Sequence, residues 1–174
     1  FSCDALGPEG EYVRTGLDLN VAIKNFEYIL HNTSFDQGIN SALTVTAVPG
    51  MPAMVKYLNE CNKIKPIYWS MMKANQHEIG PREYMYPGIF GNKINDWGLR
   101  EAVESFDTTS HGNPDSVKEI YKTYMQGIMS EFDKREPSVL RQKQFKIYLD
   151  ELDRRRDTNW KSVYPQIWEE VKNL

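Results

Sequence analysis

The segment over residues 39–48 constrains the fold most, because none of its ten residues is charged. It consists of aliphatic, small and uncharged polar side chains, and Pro49 and Gly50 stop it. Since neither face of such a strand carries a charge, both faces are expected to be buried, as in a parallel strand covered by helices. The segment therefore predicts a parallel sheet inside an α/β fold.

The flanking segments alternate between strand and helix patterns in the same way. Residues 1–5 are predicted to be the end of a strand, and residues 67–72 form a third strand candidate. Asp18 caps a helix with apolar residues spaced by three and four, and Pro52 suits the first turn of the next helix. The β-α-β-α-β order predicts about three parallel strands joined by right-handed crossovers.

The second half of the chain has a helical pattern. Residues 73–91 are polar and rich in proline and glycine, which indicates a loop that is functional or held by a partner. Helices are predicted over residues 95–106, after the cap Asp115, after Pro137 and around residues 167–171. We expect a βαβαβ part over residues 1–90 and a helical C-terminal region over residues 91–174, packed together as one domain.

Charge and cysteine content narrow the class of partner. The net charge is only -3, so no basic surface favours nucleic acid, and no apolar stretch has the length of a membrane span. Cys3 and Cys61 lie far apart in no metal-ligand spacing, and the three histidines match no ligand pattern either. We expect a reduced, cytoplasmic protein with two buried thiols, no metal site and no membrane or nucleic-acid partner.

Each predicted strand has a more polar face. Side chains on alternate positions of a strand share a face, which groups these pairs: Ser2 with Asp4, Thr44 with Thr46, and Tyr68 with Ser70. One interpretation is a curved sheet whose polar inner face forms a barrel-type site. The other is a simple core in which the hydroxyl groups bond to the backbone, and the periodicity does not choose between them.

Three stretches of the chain resemble the radical S-adenosylmethionine (SAM) family. The sequence SCDA at residues 2–5, followed by EYVRTG at residues 11–16, resembles the fourth strand and following loop of these proteins. Residues 40–47 and the helix after them resemble the fifth strand. The sequence LDRRRDTNW at residues 152–160 resembles the tail of a subgroup found in phage and marine sequences.

The resemblance implies a partial (β/α) barrel that binds SAM and a [4Fe–4S] cluster, and a reaction in which reduced SAM yields a radical that abstracts hydrogen. It also implies that Ser2, Asp4 and Arg14 hold the methionine part of SAM, and that Thr44 and Thr46 face its ribose. The planar guanidinium of Arg14 suits the SAM carboxylate.

A surface salt bridge to Glu11 or Asp18 is the alternative role for Arg14, because a lone arginine is a weak indication of a ligand site. The chain also departs from the family in one respect that decides its chemistry. The CxxxCxxC motif that holds the cluster is absent from the sequence. The interpretation is therefore a truncated C-terminal portion, or fragment, of a radical SAM enzyme, with no catalytic residue and no cofactor of its own.

Two other functions stay open. The chain could be a non-enzymatic interaction domain that forms a homodimer through open sheet edges, since an unpaired strand edge is a template for another chain. It could also be a small α/β enzyme that uses another nucleotide, although no GxGxxG or P-loop sequence is present.

Overall fold

The computed structural model describes residues 1–73, 83–106 and 115–174, and the described chain is mostly helical. Two strands, β1 (Gln37–Leu43) and β2 (Ile67–Lys73), form its sheet. The helices are α1 (Pro8–Val13), α2 (Leu19–Asn32), α3 (Met51–Ile64), α4 (Arg100–Glu104), α5 (Asp115–Asp133), α6 (Val139–Arg156), α7 (Trp160–Val163) and α8 (Pro165–Val171). Short 3-10 turns occupy Val48–Gly50, Glu83–Met85 and Pro87–Phe90, and a π turn occupies Asn95–Leu99.

The helices around the sheet begin where their capping residues predict. The carboxylate of Asp18 accepts a hydrogen bond from the backbone N–H of Val21 at 3.0 Å, which starts α2. Pro52 lies in the first turn of α3, where its missing N–H costs nothing. Both helices turn an apolar stripe toward the core, so these two predictions are confirmed.

The sheet is parallel, and α3 connects its two strands. Ile39 lies opposite Trp69, and both are buried. The other odd-numbered strand residues from 37 to 67 are buried too, and Met71 is half-buried. The even-numbered residues Asn40, Tyr68 and Ser70 are exposed on the other face. The sheet therefore buries one face in the core and leaves the other to solvent.

The predicted partial barrel with about three parallel strands is wrong. Residues 1–5 pair with β1 through a single bridge, Ser2 to Asn40, and form no strand. The pairing stops because the side chain of Asp4, in place of a backbone carbonyl, accepts the next N–H group along β1, that of Ala42, at 2.8 Å. A two-stranded sheet is what remains.

The strand predicted over residues 39–48 is also displaced, since β1 covers 37–43. Thr44 ends it, because its carbonyl oxygen accepts hydrogen bonds from the N–H groups of Ala47 and Val48 and so closes a turn. The sequence GPEG at residues 7–10 is typical of a turn, but the structure begins α1 there, with Pro8 at its first position. Proline suits both a turn and a helix start, so the sequence alone did not separate them.

The helix predicted over residues 95–106 divides into a π turn and α4. Gly98 lies at the junction with a φ of 156°, and a Cβ atom there would lie 2.3 Å from the carbonyl oxygen of Val48. Only glycine permits this close approach of the segment to the start of α3.

The C-terminal helices complete the core. Trp160, Tyr164 and Phe145 are fully buried in it, together with residues from the first half such as Leu43 and Met54. Much of the predicted loop over residues 73–91 lies outside the described residues, as do His77 and His111. No helix in the described ranges combines the length and apolar character needed to cross a membrane.

Candidate functional site

Three residues predicted to hold SAM meet beside the C-terminal half of β1. The Arg14 guanidinium donates from Nε to Oδ2 of Asp4 at 3.1 Å and from Nη2 to Oδ1 of Asp4 at 3.3 Å. The same Nη2 atom donates to Oγ of Ser2 at 2.9 Å. We call these three residues the Ser2–Asp4–Arg14 cluster.

Local folding explains why these side chains meet. Asp4 is held in place because its carboxylate also accepts the N–H of Ala42 from β1, and its side chain is only 10% exposed. Arg14 directly follows α1, and its own N–H bonds to the carbonyl oxygen of Gly10. The cluster therefore joins the N-terminal segment, β1 and the end of α1.

The alternative salt bridges proposed for Arg14 do not occur in the described structure. Glu11 accepts a hydrogen bond from the N–H of Leu19 at 3.3 Å, and Asp18 caps α2. Arg14 pairs with Asp4 instead. Its side chain is 38% exposed, and its Nη1 atom makes no hydrogen bond in the part of the chain that the structure describes.

Thr44 and Thr46 form a second pair just beyond β1. Their hydroxyl oxygens lie 3.0 Å apart, and the Thr44 hydroxyl also accepts the N–H of Ala47 at 3.2 Å. Thr46 is buried and Thr44 is half-buried. The structure gives both hydroxyl groups a role in the turn, and their predicted contact with a ribose stays a prediction.

The cluster has the charge pattern that a zwitterion requires. Nη1 of Arg14, which makes no hydrogen bond within the described residues, can donate to a carboxylate. Oδ1 of Asp4 already accepts from Ala42 and Arg14, whereas Oδ2 accepts one described hydrogen bond and has a second lone pair for an ammonium group. The exposed sheet face beside the cluster carries Asn40 and Ser70, which offer polar contacts, and Tyr68, which offers an aromatic surface. An amino acid or an amino-acid-bearing cofactor fits this chemistry.

The residues present do not fit an iron–sulfur cluster. Such a cluster needs several thiolates together, whereas Cys3 and Cys61 are both free and buried. Burial raises the pKa of each thiol to about 11, so both stay protonated. Within the described ranges, no group of three or more histidine, cysteine or acidic side chains is placed to hold a metal ion.

The outer edge of β2 is less open than the sequence indicated. The N–H of Ile67 donates to Oδ1 of Asn62 at 2.8 Å, and the N–H of Trp69 donates to the hydroxyl of Tyr121 at 3.0 Å. Side chains from α3 and α5 thus satisfy two edge amides that another strand would need. The sequence reasoning missed both residues, because each lies on an apolar helix face with no local motif.

Among the cavities lined by described residues, two with volumes above 200 Å³ lie away from the Ser2–Asp4–Arg14 cluster, and the sequence predicted neither. One of about 230 Å³ is lined by charged residues that include Glu83 and Arg141, which form an ion pair with each other, so its charges are balanced. The other, of about 220 Å³, is apolar and lies between β2 and α5. Neither brings together the residues that the resemblance implies.

Comparison with known proteins leaves the function to be argued from this geometry. No family model matches the chain, and no curated protein or solved structure matches it either. The resemblance to radical SAM proteins therefore stays a prediction.

Proposed function

We propose that this chain is the C-terminal portion of a radical SAM-type protein and that it binds the amino-acid part of SAM. One observation carries the proposal: Arg14 donates hydrogen bonds to both Ser2 and Asp4 beside an exposed sheet face. These are residues of the SCDA and EYVRTG stretches on which the resemblance rests.

In this function the chain binds and orients, and it does not catalyse alone. Arg14 donates to the carboxylate of the ligand through Nη1, while Asp4 accepts from the ammonium group. Because Asp4 already holds Arg14 with two hydrogen bonds, the guanidinium is oriented before the ligand arrives. The cofactors of the parent protein supply the hydrogen-abstracting chemistry. The thiolate ligands of the [4Fe–4S] cluster come from outside this chain. A cytoplasmic location is also part of the proposal, because both cysteine thiols are free.

Titration of ¹⁵N-labelled protein with SAM, and separately with methionine, tests the proposal. We expect saturable chemical-shift changes at the amides of Ser2, Asp4 and Ala42, with a dissociation constant of about 1 mM because only one corner of the ligand is held. Methionine should produce the same changes, since it carries the same amino-acid group.

Arg14→Lys is the informative variant, because lysine keeps the charge but loses the planar fork, and we expect affinity to fall about tenfold or more. Arg100→Lys is the matched control, since Arg100 pairs with Asp96 on the surface by a similar 3.0 Å contact. An absence of saturable shifts up to about 10 mM ligand, or equal affinity in Arg14→Lys and the wild type, would overturn the proposal.

A second candidate function is self-association, and the exposed sheet face favours it. Tyr68 and Met72 are 58% and 72% exposed on that face. Burying such apolar side chains against a second copy would be favourable by about 1.5–3 kcal/mol each. Because Asn62 and Tyr121 occupy the outer edge of β2, the contact would use the face and not that strand edge.

Sedimentation equilibrium at micromolar concentration tests this candidate. A homodimer that dissociates in Tyr68→Ser/Met72→Ser supports it. The matched control is Tyr28→Ser/Ile29→Ser, which removes exposed apolar side chains from α2. A wild-type monomer near 20 kDa would exclude self-association.

A further inference from the structure

The C-terminal LDRRRDTNW stretch contains a carboxylate that joins distant parts of the chain. Oδ1 of Asp153 accepts hydrogen bonds from the Tyr12 hydroxyl at 3.0 Å and the Thr158 hydroxyl at 2.7 Å. Its Oδ2 accepts the backbone N–H of Trp160 at 2.7 Å. Asp153 therefore ties α1 to the turn between α6 and α7.

Further contacts connect α1 to the same C-terminal region. Arg156 donates from Nη1 to the backbone carbonyl of Tyr12 at 3.3 Å, two residues before Arg14. The Tyr164 hydroxyl donates to the carbonyl of Glu9 at 3.3 Å, and the rings of Tyr12 and Tyr164 meet edge to face with centroids 5.4 Å apart. Both ends of α1 are thus held from one side.

The hydroxyl of Tyr12 stays a donor in this arrangement. Burial raises the pKa of Tyr12, and its hydrogen bond to the Asp153 carboxylate raises the pKa further. The bond between them is therefore charge-assisted, and such bonds are stronger than neutral ones.

Helix α1 depends on these attachments because it has only six residues. Isolated helices of this length are not stable in water, so packing must hold α1 in place. Arg14 is the residue immediately after α1, and its N–H continues the hydrogen bonding of the helix. A shift in the position of α1 therefore moves the backbone of Arg14 and, with it, the guanidinium group.

We propose that Asp153 and Arg156 are positioning residues, which fix α1 so that Arg14 is oriented in the Ser2–Asp4–Arg14 cluster. This inference rests on the proposed ligand-binding function for its biological meaning, but the positioning itself is measurable without a ligand. It also gives the LDRRRDTNW stretch a role: two of its polar residues reach back to α1, whereas Arg154 and Arg155 pair with Glu151 on their own helix.

The NMR resonance of the Arg14 Nε–H group in ¹⁵N-labelled protein shows whether the guanidinium is held in place. This resonance is assigned by its absence from the spectrum of Arg14→Lys. In the wild type this proton is protected by its 3.1 Å bond to Asp4. In Asp153→Ala we expect it to exchange with solvent about fivefold to tenfold faster and its resonance to move toward that of Asp4→Ala. Glu151→Ala is the matched control, because it removes a carboxylate of α6 whose hydrogen bonds within the described residues come from Arg154 and Arg155 and not from α1.

Two milder variants keep the test decisive if Asp153→Ala does not fold. Tyr12→Phe removes only the hydroxyl that reaches Asp153, and Arg156→Gln removes the contact to the Tyr12 carbonyl. Each should accelerate exchange of the Arg14 Nε–H by about twofold to fivefold and leave the Trp69 indole resonance in place. Unchanged exchange of Arg14 in both variants would overturn the inference.

Titration with SAM separates this inference from the proposed function. If Arg14 responds to Asp153→Ala but the wild type binds no SAM, the positioning stands and the proposed function fails. If the wild type binds SAM and Arg14→Lys weakens binding, but Asp153→Ala and Tyr12→Phe leave both affinity and Arg14 exchange unchanged, the function stands and the inference fails.

Discussion

Replacement of Asp4 by alanine should lower the free energy of unfolding more than the loss of a single exposed ion pair would. The carboxylate is 10% exposed and accepts the N–H of Ala42 at 2.8 Å in addition to its pair with Arg14. Loss of a hydrogen bond between a buried amide and a charged acceptor costs about 1.5–3 kcal/mol. The Arg14 side chain is 38% exposed, so solvent screening reduces the ion pair to about 0.5–1 kcal/mol. Their sum predicts a loss of about 2–4 kcal/mol for Asp4→Ala.

Urea unfolding followed by circular dichroism measures the two contributions separately. Arg14→Met breaks the ion pair but leaves the bond from Ala42, so it should cost only about 0.5–1 kcal/mol. Asp4→Asn retains an oxygen for Ala42 and removes the charge, so it should fall between the two. If Asp4→Ala is no less stable than Arg14→Met, the carboxylate does not hold the edge of β1, and our explanation for the missing third strand is refuted.

Three further predictions concern two glycines and the two cysteines. Gly98→Ala should cost about 2–4 kcal/mol in urea unfolding, because its Cβ would lie 2.3 Å from the Val48 carbonyl oxygen, and a loss below about 0.5 kcal/mol would contradict this. Gly127→Ala, in the middle of α5 with nothing within 4 Å of the new Cβ, should stabilise by about 0.5–1 kcal/mol; destabilisation would contradict it. Buried Cys3 and Cys61 should react with a thiol reagent at pH 8 only on unfolding. Because burial raises the pKa of both thiols to about 11, above the unfolded value of about 8.5, stability should be lost as pH rises through this window, and Cys3→Ala should reduce that slope.

Elements with a capping residue or a well-placed proline were predictable from the sequence. Asp18 and Pro52 act within one helical turn, so their neighbours alone determine where α2 and α3 begin. The strand β2 was equally well predicted, since residues 67–72 combine β-branched and aromatic side chains after a proline. Each of these patterns depends on local chemistry.

The third strand is missing because of a long-range contact between Asp4 and Ala42, which the periodicity of residues 1–5 does not indicate. Residues 1–5 have the alternation of a strand, yet the Asp4 side chain accepts the Ala42 N–H that the Cys3 carbonyl would accept in a continued ladder. Sequence reasoning placed Asp4 on a polar face with Ser2, and the structure agrees that both meet Arg14. The assignment of Asp4 to a strand was thus wrong, whereas its predicted role in a ligand site stays a prediction.

The edge of β2 was unpredictable for a related reason. Asn62 and Tyr121 satisfy its amides from two different helices, and nothing near either residue in sequence indicates that contact. Two amides of this edge are therefore already paired, whereas the sequence predicted open sheet edges. What the described structure leaves open is the face that carries Asn40, Tyr68 and Ser70.

The exposed face of the sheet allows SAM binding and self-association to be tested against each other, because both would use it. Ligand bound at Arg14 would extend over the exposed side of β1 and β2, which is the surface that Tyr68 and Met72 offer to a second copy. Two occupants of one surface compete, so a ligand that binds only the monomer must shift the equilibrium away from the dimer. If the protein self-associates through this face, saturating SAM should dissociate it, and Arg14→Lys should weaken that effect. Dissociation constants for dimer and ligand that do not depend on each other would show that the two events use different surfaces.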